Sequence, residues 1–122
     1  MRVLVVDDSS TMRRIIVNTL KKLGYEDTFE AGDGREALKS LDTRRADVIV
    51  TDWNMPEMSG PQFVEALRAQ PEHTKVPVLM VTTQAAQEDV IVALRAGVND
   101  YLIKPFTPDA LRDKIESLLA KE

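Results

Sequence analysis

The 122-residue chain contains no cysteine, so disulfides, thiol nucleophiles and Cys-ligated zinc are excluded. No apolar run approaches the roughly 20 residues that a membrane helix needs. Positive charge is not in excess either: 16 Lys and Arg stand against 20 Asp and Glu, a formal net charge of −4. A protein that binds nucleic acid by itself needs a basic face, which this balance argues against. The N-terminus does not read as a signal peptide, because Met1-Arg2 leads through Val3–Val6 straight into Asp7-Asp8. What remains is ordinary for a folded domain, with 43% hydrophobic and 30% charged residues. These figures predict one cytoplasmic domain over residues 1–122 with no separate output domain.

Short β-branched runs alternate five times with helical patterns. The runs are Arg2–Val6, Thr28–Ala31, Val48–Thr51, Val76–Val81 and Tyr101–Ile103. Between them, Met12, Ile15, Ile16, Thr19, Leu20 and Leu23 recur at helical spacing after a Ser9 or Ser10 cap, and Gly24 ends the pattern. Asp33-Gly34 opens a second helix, with Ala37, Leu38 and Leu41 inward. Pro61 suits the first position of a third, which carries Phe63, Val64 and Leu67. A fourth spans about Ala86–Ala96 before Gly97, and Pro108 starts a fifth with Leu111, Ile115, Leu118 and Leu119 inward.

Strand–helix alternation of this kind predicts an α/β fold, a doubly wound parallel sheet of five βα units. Runs one, three and four are continuously apolar, as strands covered on both faces are. Runs two and five are interrupted by polar residues and belong at the edges. Right-handed crossovers then favour the order 2-1-3-4-5, the flavodoxin-like arrangement.

In such a sheet the carboxyl ends of the strands line a crevice that opens where the order reverses, between strands one and three. Asp7, Asp8, Asp52, Thr82 and Lys104 all fall at strand ends. Any one acid after a strand is ordinary cap or turn chemistry. Five polar residues at four strand ends on one rim point instead to a site. Three carboxylates together repel unless a cation intervenes, and hard oxygen donors without sulfur or imidazole suit Mg²⁺. A divalent ion and the Lys104 ammonium beside a carboxylate make a seat for phosphoryl oxygens, with Asp52 as acceptor. Spacing alone leaves phosphoryl acceptance, phosphate-ester hydrolysis and simple metal binding open.

The motifs VVDDSSTMRR (5–14), DWNMPEMSG (52–60), PVLMVTT (77–83) and DYLIKPF (100–106) resemble the receiver domain of bacterial two-component response regulators, and within it the chemotaxis regulators. The resemblance covers essentially the whole chain. It implies phosphorylation of Asp52 by a sensor histidine kinase of the chemotaxis type, or slowly by small phosphodonors. It implies Mg²⁺ held by Asp8, Asp52 and the backbone carbonyl of Asn54, with Asp7 acting partly through water. Lys104 would pair with the acceptor and then with the phosphoryl group, Thr82 would hydrogen-bond that group, and the Lys104-Pro105 bond would be cis. Tyr101 would turn as Thr82 moves, altering a partner face that includes Ala86, Gln87, Val90, Ile103, Phe106 and Lys114.

The implied role is a monomeric signalling protein rather than a turnover enzyme. Its expected target is a flagellar motor switch or another protein, with a phosphatase as a further partner. A phosphate shuttle or sink between histidine domains is the alternative. Five positions depart from residues common in the family: Ser9, Ser59, Gln84, Ala86 and Gln87. A phosphate-ester hydrolase lacks an additional acid–base carboxylate, and a flavin module lacks the Ser/Thr-rich loop after strand one. Val90–Leu94 is apolar nearly all round, which fits a broadly buried helix and an exposed partner face equally well. Trp53 reads as a partly exposed reporter, His73 as a surface residue, and Met12, Met55, Met58 and Met80 as packing.

Overall fold

The computed structural model describes residues 1–120. Strands β1 (Arg2–Val6), β2 (Asp27–Ala31), β3 (Val48–Thr51), β4 (Val78–Thr82) and β5 (Asp100–Ile103) form one parallel sheet in the order β2-β1-β3-β4-β5. Helices α1 (Ser10–Lys22), α2 (Gly34–Leu41), α3 (Gly60–Arg68), α4 (Gln87–Ala96) and α5 (Pro108–Ala120) alternate with the strands. Order and edge strands agree with the sequence pattern.

Successive strand residues point to opposite faces, and the core divides accordingly. Val3, Val5, Val48, Val50, Leu79 and Val81 meet α1 and α5 through Ile16, Val17, Leu20, Leu111, Ile115 and Leu118. Leu4, Val6, Ile49, Val78 and Met80 meet the other three helices through Ala37, Leu41, Phe63, Val64, Leu67 and Ala93. Each such Val, Leu, Ile or Phe contributes about 1.5–3 kcal/mol when fully buried.

Several boundaries differ from expectation, for local reasons. β4 begins at Val78 rather than Val76, because Pro77 has no N–H to donate and enters the sheet only as acceptor for Ile49 N–H at 2.9 Å. Gly60 opens α3, so Pro61 takes its second position, and Ser59 with Gln62 forms a reciprocal capping box. Ile15 is 49% exposed and Val17 takes its place inside, so the buried stripe of α1 is Ile16, Val17 and Leu20. Met12, Thr19, Leu23, Leu38 and Leu119 are only partly buried. Gly97 ends α4 at φ 112°, the left-handed region that glycine enters without steric cost.

Four of the helix starts are held by a side chain. Ser9 accepts from Met12 N–H, Asp33 from Glu36 N–H, Ser59 from Gln62 N–H and Thr107 from Ala110 N–H. α4 starts after Ala86 with no side-chain cap, a difference of about 1 kcal/mol in how firmly a helix end is held.

Candidate functional site

The strand ends meet through their backbones. Asp52 N–H donates to Val6 O at 3.0 Å, Asp7 N–H to Ala31 O at 3.2 Å, and Lys104 N–H to Thr82 O at 2.9 Å. Asp7 and Asp52 therefore leave adjacent strands at the same level, where β1 lies between β2 and β3. Carboxylate oxygens of Asp7, Asp8 and Asp52 lie within 4.8 Å of one another. Asp7 is 1% exposed, whereas Asp8 is open to solvent. Lys104 Nζ sits 3.4 Å from Asp7 Oδ2 and 3.7 Å from Asp52 Oδ1. Backbone donors fix the remaining geometry: Ser9 N–H to Asp7 Oδ1 at 2.9 Å and Trp53 N–H to Asp52 Oδ1 at 2.7 Å.

Three carboxylates against one ammonium leave the pocket at 3 − 1 = 2 negative charges. Burial pushes the Asp52 carboxyl above its ordinary range, and the Asp7 and Asp8 charges add to the rise. The Trp53 N–H and Lys104 oppose it. A divalent cation fits this donor set: hard oxygens, a charge deficit of two, and one acid open to solvent. Asp7, Asp8 and Asp52 are the residues that would hold it.

A raised native pKa means that the folded state binds this proton more tightly than the unfolded chain does. Stability is then lost as pH rises through that window. In metal-free protein at pH 7 the ionised Asp52 is therefore a cost. Asp52→Asn keeps the acceptor for Trp53 N–H and removes the charge. It is expected to raise the melting temperature in EDTA at pH 7 by a few degrees, corresponding to about 1 kcal/mol. The gain should vanish below pH 4. A lower melting temperature at pH 7 would show that the Lys104 pair outweighs burial.

Thr82, 1% exposed, accepts Gln84 N–H on its hydroxyl at 3.3 Å. Tyr101 is tied to the same segment, its hydroxyl donating to Gln84 O at 2.8 Å. The link from Thr82 to Tyr101 thus runs through the backbone of Gln84, a route that residue types alone do not reveal. The side-chain oxygen of Gln84 is buried without a hydrogen-bond partner. Asn54 is exposed in the loop after Asp52, and the Lys104-Pro105 peptide is cis.

The other expected positions spread over α4, β5 and α5. Ala86 and Gln87 are exposed and Val90 is half-buried at the start of α4. Ile103 is exposed on β5. Phe106 packs toward the α1/α5 side, and Lys114 pairs with Asp100 at 3.0 Å. Of the two readings of Val90–Leu94, broad burial does not hold, since Ile91, Val92 and Leu94 are 42%, 48% and 50% exposed. Trp53, Met55 and Met58 pack against the core from the loop, and Met80 is fully buried. His73 is half-buried in a single 3₁₀ turn remote from the acids, its carbonyl accepting from Arg68.

Besides Ser9, two residues outside the expected set touch the site. Arg13 donates from Nη1 to Asp7 O at 2.6 Å. Gly60 packs so closely under the Asp52 carbonyl that no side chain fits between them. Arg13 has a detectable signal, because helical side chains lean toward the N-terminus and its position six residues after Asp7 puts it over the strand end.

Fold and site together define a doubly wound α/β domain with an acidic, cation-competent pocket at its topological switch point. The response regulator receiver domain profile matches residues 3–116, and the chain belongs to that family. It is 53% identical over 120 residues to chemotaxis protein CheY1 of Helicobacter pylori, covering 98% of this chain and 97% of that protein. Among solved structures, CheY4 of Vibrio cholerae superimposes with a TM-score of 0.91 at 40% identity, covering 97% and 98% of the two chains. The receiver domain of a sensor histidine kinase from Pseudomonas aeruginosa, solved with magnesium in its active-site cleft, gives 0.89 at 32% identity, covering 98% and 97%.

Proposed function

We propose that this receiver domain is the phosphoacceptor switch of a chemotaxis pathway, taking a phosphoryl group onto Asp52 from a phosphohistidine of a sensor kinase. The observation that carries this reading is the convergence of Asp7, Asp8, Asp52 and Lys104 at one rim. An oxygen of Asp52 forms the new P–O bond as the P–N bond of the donor breaks, and the donor imidazole takes up a proton. Asp7, Asp8 and Asp52, with the Asn54 carbonyl, would hold Mg²⁺, which when bound would supply positive charge to the phosphoryl oxygens. Lys104 already faces Asp52 and is placed to follow the charge onto the phosphoryl group. Thr82 keeps its hydroxyl proton, since it accepts from Gln84, and so has a donor to offer.

The group adds about −1.5 to −2 charge. Drawing Thr82 toward it loosens the Gln84 amide, and through the Gln84 carbonyl it disturbs Tyr101. α4 follows this segment with an uncapped start, so its first turn is the part most easily reshaped. The apolar exposure of Ile91, Val92, Leu94 and Ile103 favours output through a protein surface over a pure phosphate shuttle. The relatives' role in chemotaxis suggests a flagellar motor switch as that partner. A partner that prefers the altered face shifts the population toward it. We read the domain as a cytoplasmic signalling protein and not a turnover enzyme; no described helix is long and apolar enough to cross a membrane.

Trp53, adjacent to the acceptor and half-buried, reports on the pocket. Magnesium is expected to change its fluorescence saturably, and beryllofluoride to change it further only when magnesium is present. A flat response to both would overturn the reading.

A further inference from the structure

Asp7 is held at every polar atom. Its N–H donates to Ala31 O, Oδ1 accepts from Ser9 N–H, Oδ2 faces Lys104, and the carbonyl accepts from Arg13 Nη1 at 2.6 Å. The Arg13 contact comes from a different element and from the side of the pocket opposite Lys104. Arg13 lies in the second turn of α1, its side chain 20% exposed, and its Nε donates to Glu30 Oε1 of β2 at 3.1 Å. Gly32 lies alongside, where a Cβ would be in ordinary van der Waals contact with Arg13 Nη1 at 3.5 Å and Glu36 Oε2 at 3.4 Å. The guanidinium thus bridges the end of β1 to β2.

We infer that Arg13 is a positioning residue for the acidic pair, fixing the Asp7–Asp8 peptide so that both carboxylates present one face to a cation. The inference rests on the reading of Asp7 and Asp8 as metal-binding acids. The carbonyl that Arg13 grips belongs to the peptide that sets the backbone of Asp8, the acid that is solvent-exposed and least held by its own surroundings. Glu30 offsets the guanidinium charge, so the contribution is geometric rather than a repulsive charge beside the metal. Lysine cannot replace it, since one ammonium lacks the planar fork that reaches two acceptors at once.

The test is a magnesium titration of Trp53 fluorescence in wild type, Arg13→Lys and Arg13→Gln, beside melting curves in EDTA. Both variants are expected to need about tenfold more magnesium for half-saturation, the scale on which outer partners of metal ligands act. The phosphorylation rate from acetyl phosphate at saturating magnesium should fall far less than that. Wild-type affinity in Arg13→Lys with tighter binding in Arg13→Gln would mean that only charge matters, and would overturn the inference. So would unchanged affinity in both with a lowered melting temperature, the mark of a simple strut. A wild type that itself gives no response would overturn the metal reading, and this inference with it.

Discussion

Asp52→Asn is expected to abolish phosphoryl uptake, with the rate from acetyl phosphate falling on the order of a thousandfold or more, as when a nucleophile is removed. The pocket holds three carboxylates, and their surroundings separate them. Every polar atom of Asp7 is engaged, two of them by backbone groups, so attack from Asp7 would dismantle the end of β1. Asp8 is exposed and, unlike Asp7 and Asp52, makes no ion pair with Lys104. Asp52 has the Trp53 N–H and Lys104 on one oxygen and is partly open to solvent. Asparagine preserves the shape and the Trp53 contact, so loss of reaction would not report a collapsed pocket. Intact-protein mass spectrometry after incubation with magnesium and acetyl phosphate decides it. The wild type should gain one phosphoryl group and the variant none; equal labelling would place the acceptor elsewhere.

Much of this was legible before any coordinates, because burial on two faces writes itself into sequence. Val3–Val6, Val48–Val50 and Val78–Val81 are unbroken because helices cover both sides of them. The polar residues that end those runs had to share one rim once the strands were parallel. Ile15 was misleading because helical spacing marks a stripe without fixing its centre. The structure turns that stripe by one position, onto Val17. The link from Thr82 to Tyr101 was not legible, since it passes through a main-chain carbonyl that every residue possesses. The role of Gly60 depends on how closely two backbones approach, a quantity that pattern and composition do not carry.

Gly60→Ala tests that closeness and is expected to be among the most damaging single-methyl additions in the domain. Gly60 is buried, and its N–H donates to Trp53 O at 2.7 Å. A Cβ there would overlap the Asp52 carbonyl oxygen and press on Trp53 Cα at 3.0 Å and Met80 Cε at 2.9 Å. The methionine end can move, but the two backbone atoms cannot do so without shifting either the acceptor's peptide or the start of α3. α3 is pinned by Phe63, Val64 and Leu67, each fully buried. Relief must therefore come from the Asp52–Trp53 segment, which also sets the N–H that holds the acceptor carboxylate. Overpacking costs about 1–3 kcal/mol where side chains can yield, and a backbone clash belongs at the upper end. The better helix propensity of alanine recovers at most about 1 kcal/mol. A net loss of about 2–3 kcal/mol lowers the melting temperature of a domain this size by roughly 10 °C. Urea denaturation should show the same loss as a lower midpoint with an unchanged slope, and phosphorylation of the folded fraction should slow as well. A variant as stable as wild type would show that the loop from Asp52 to Gly60 yields more easily than its packing implies.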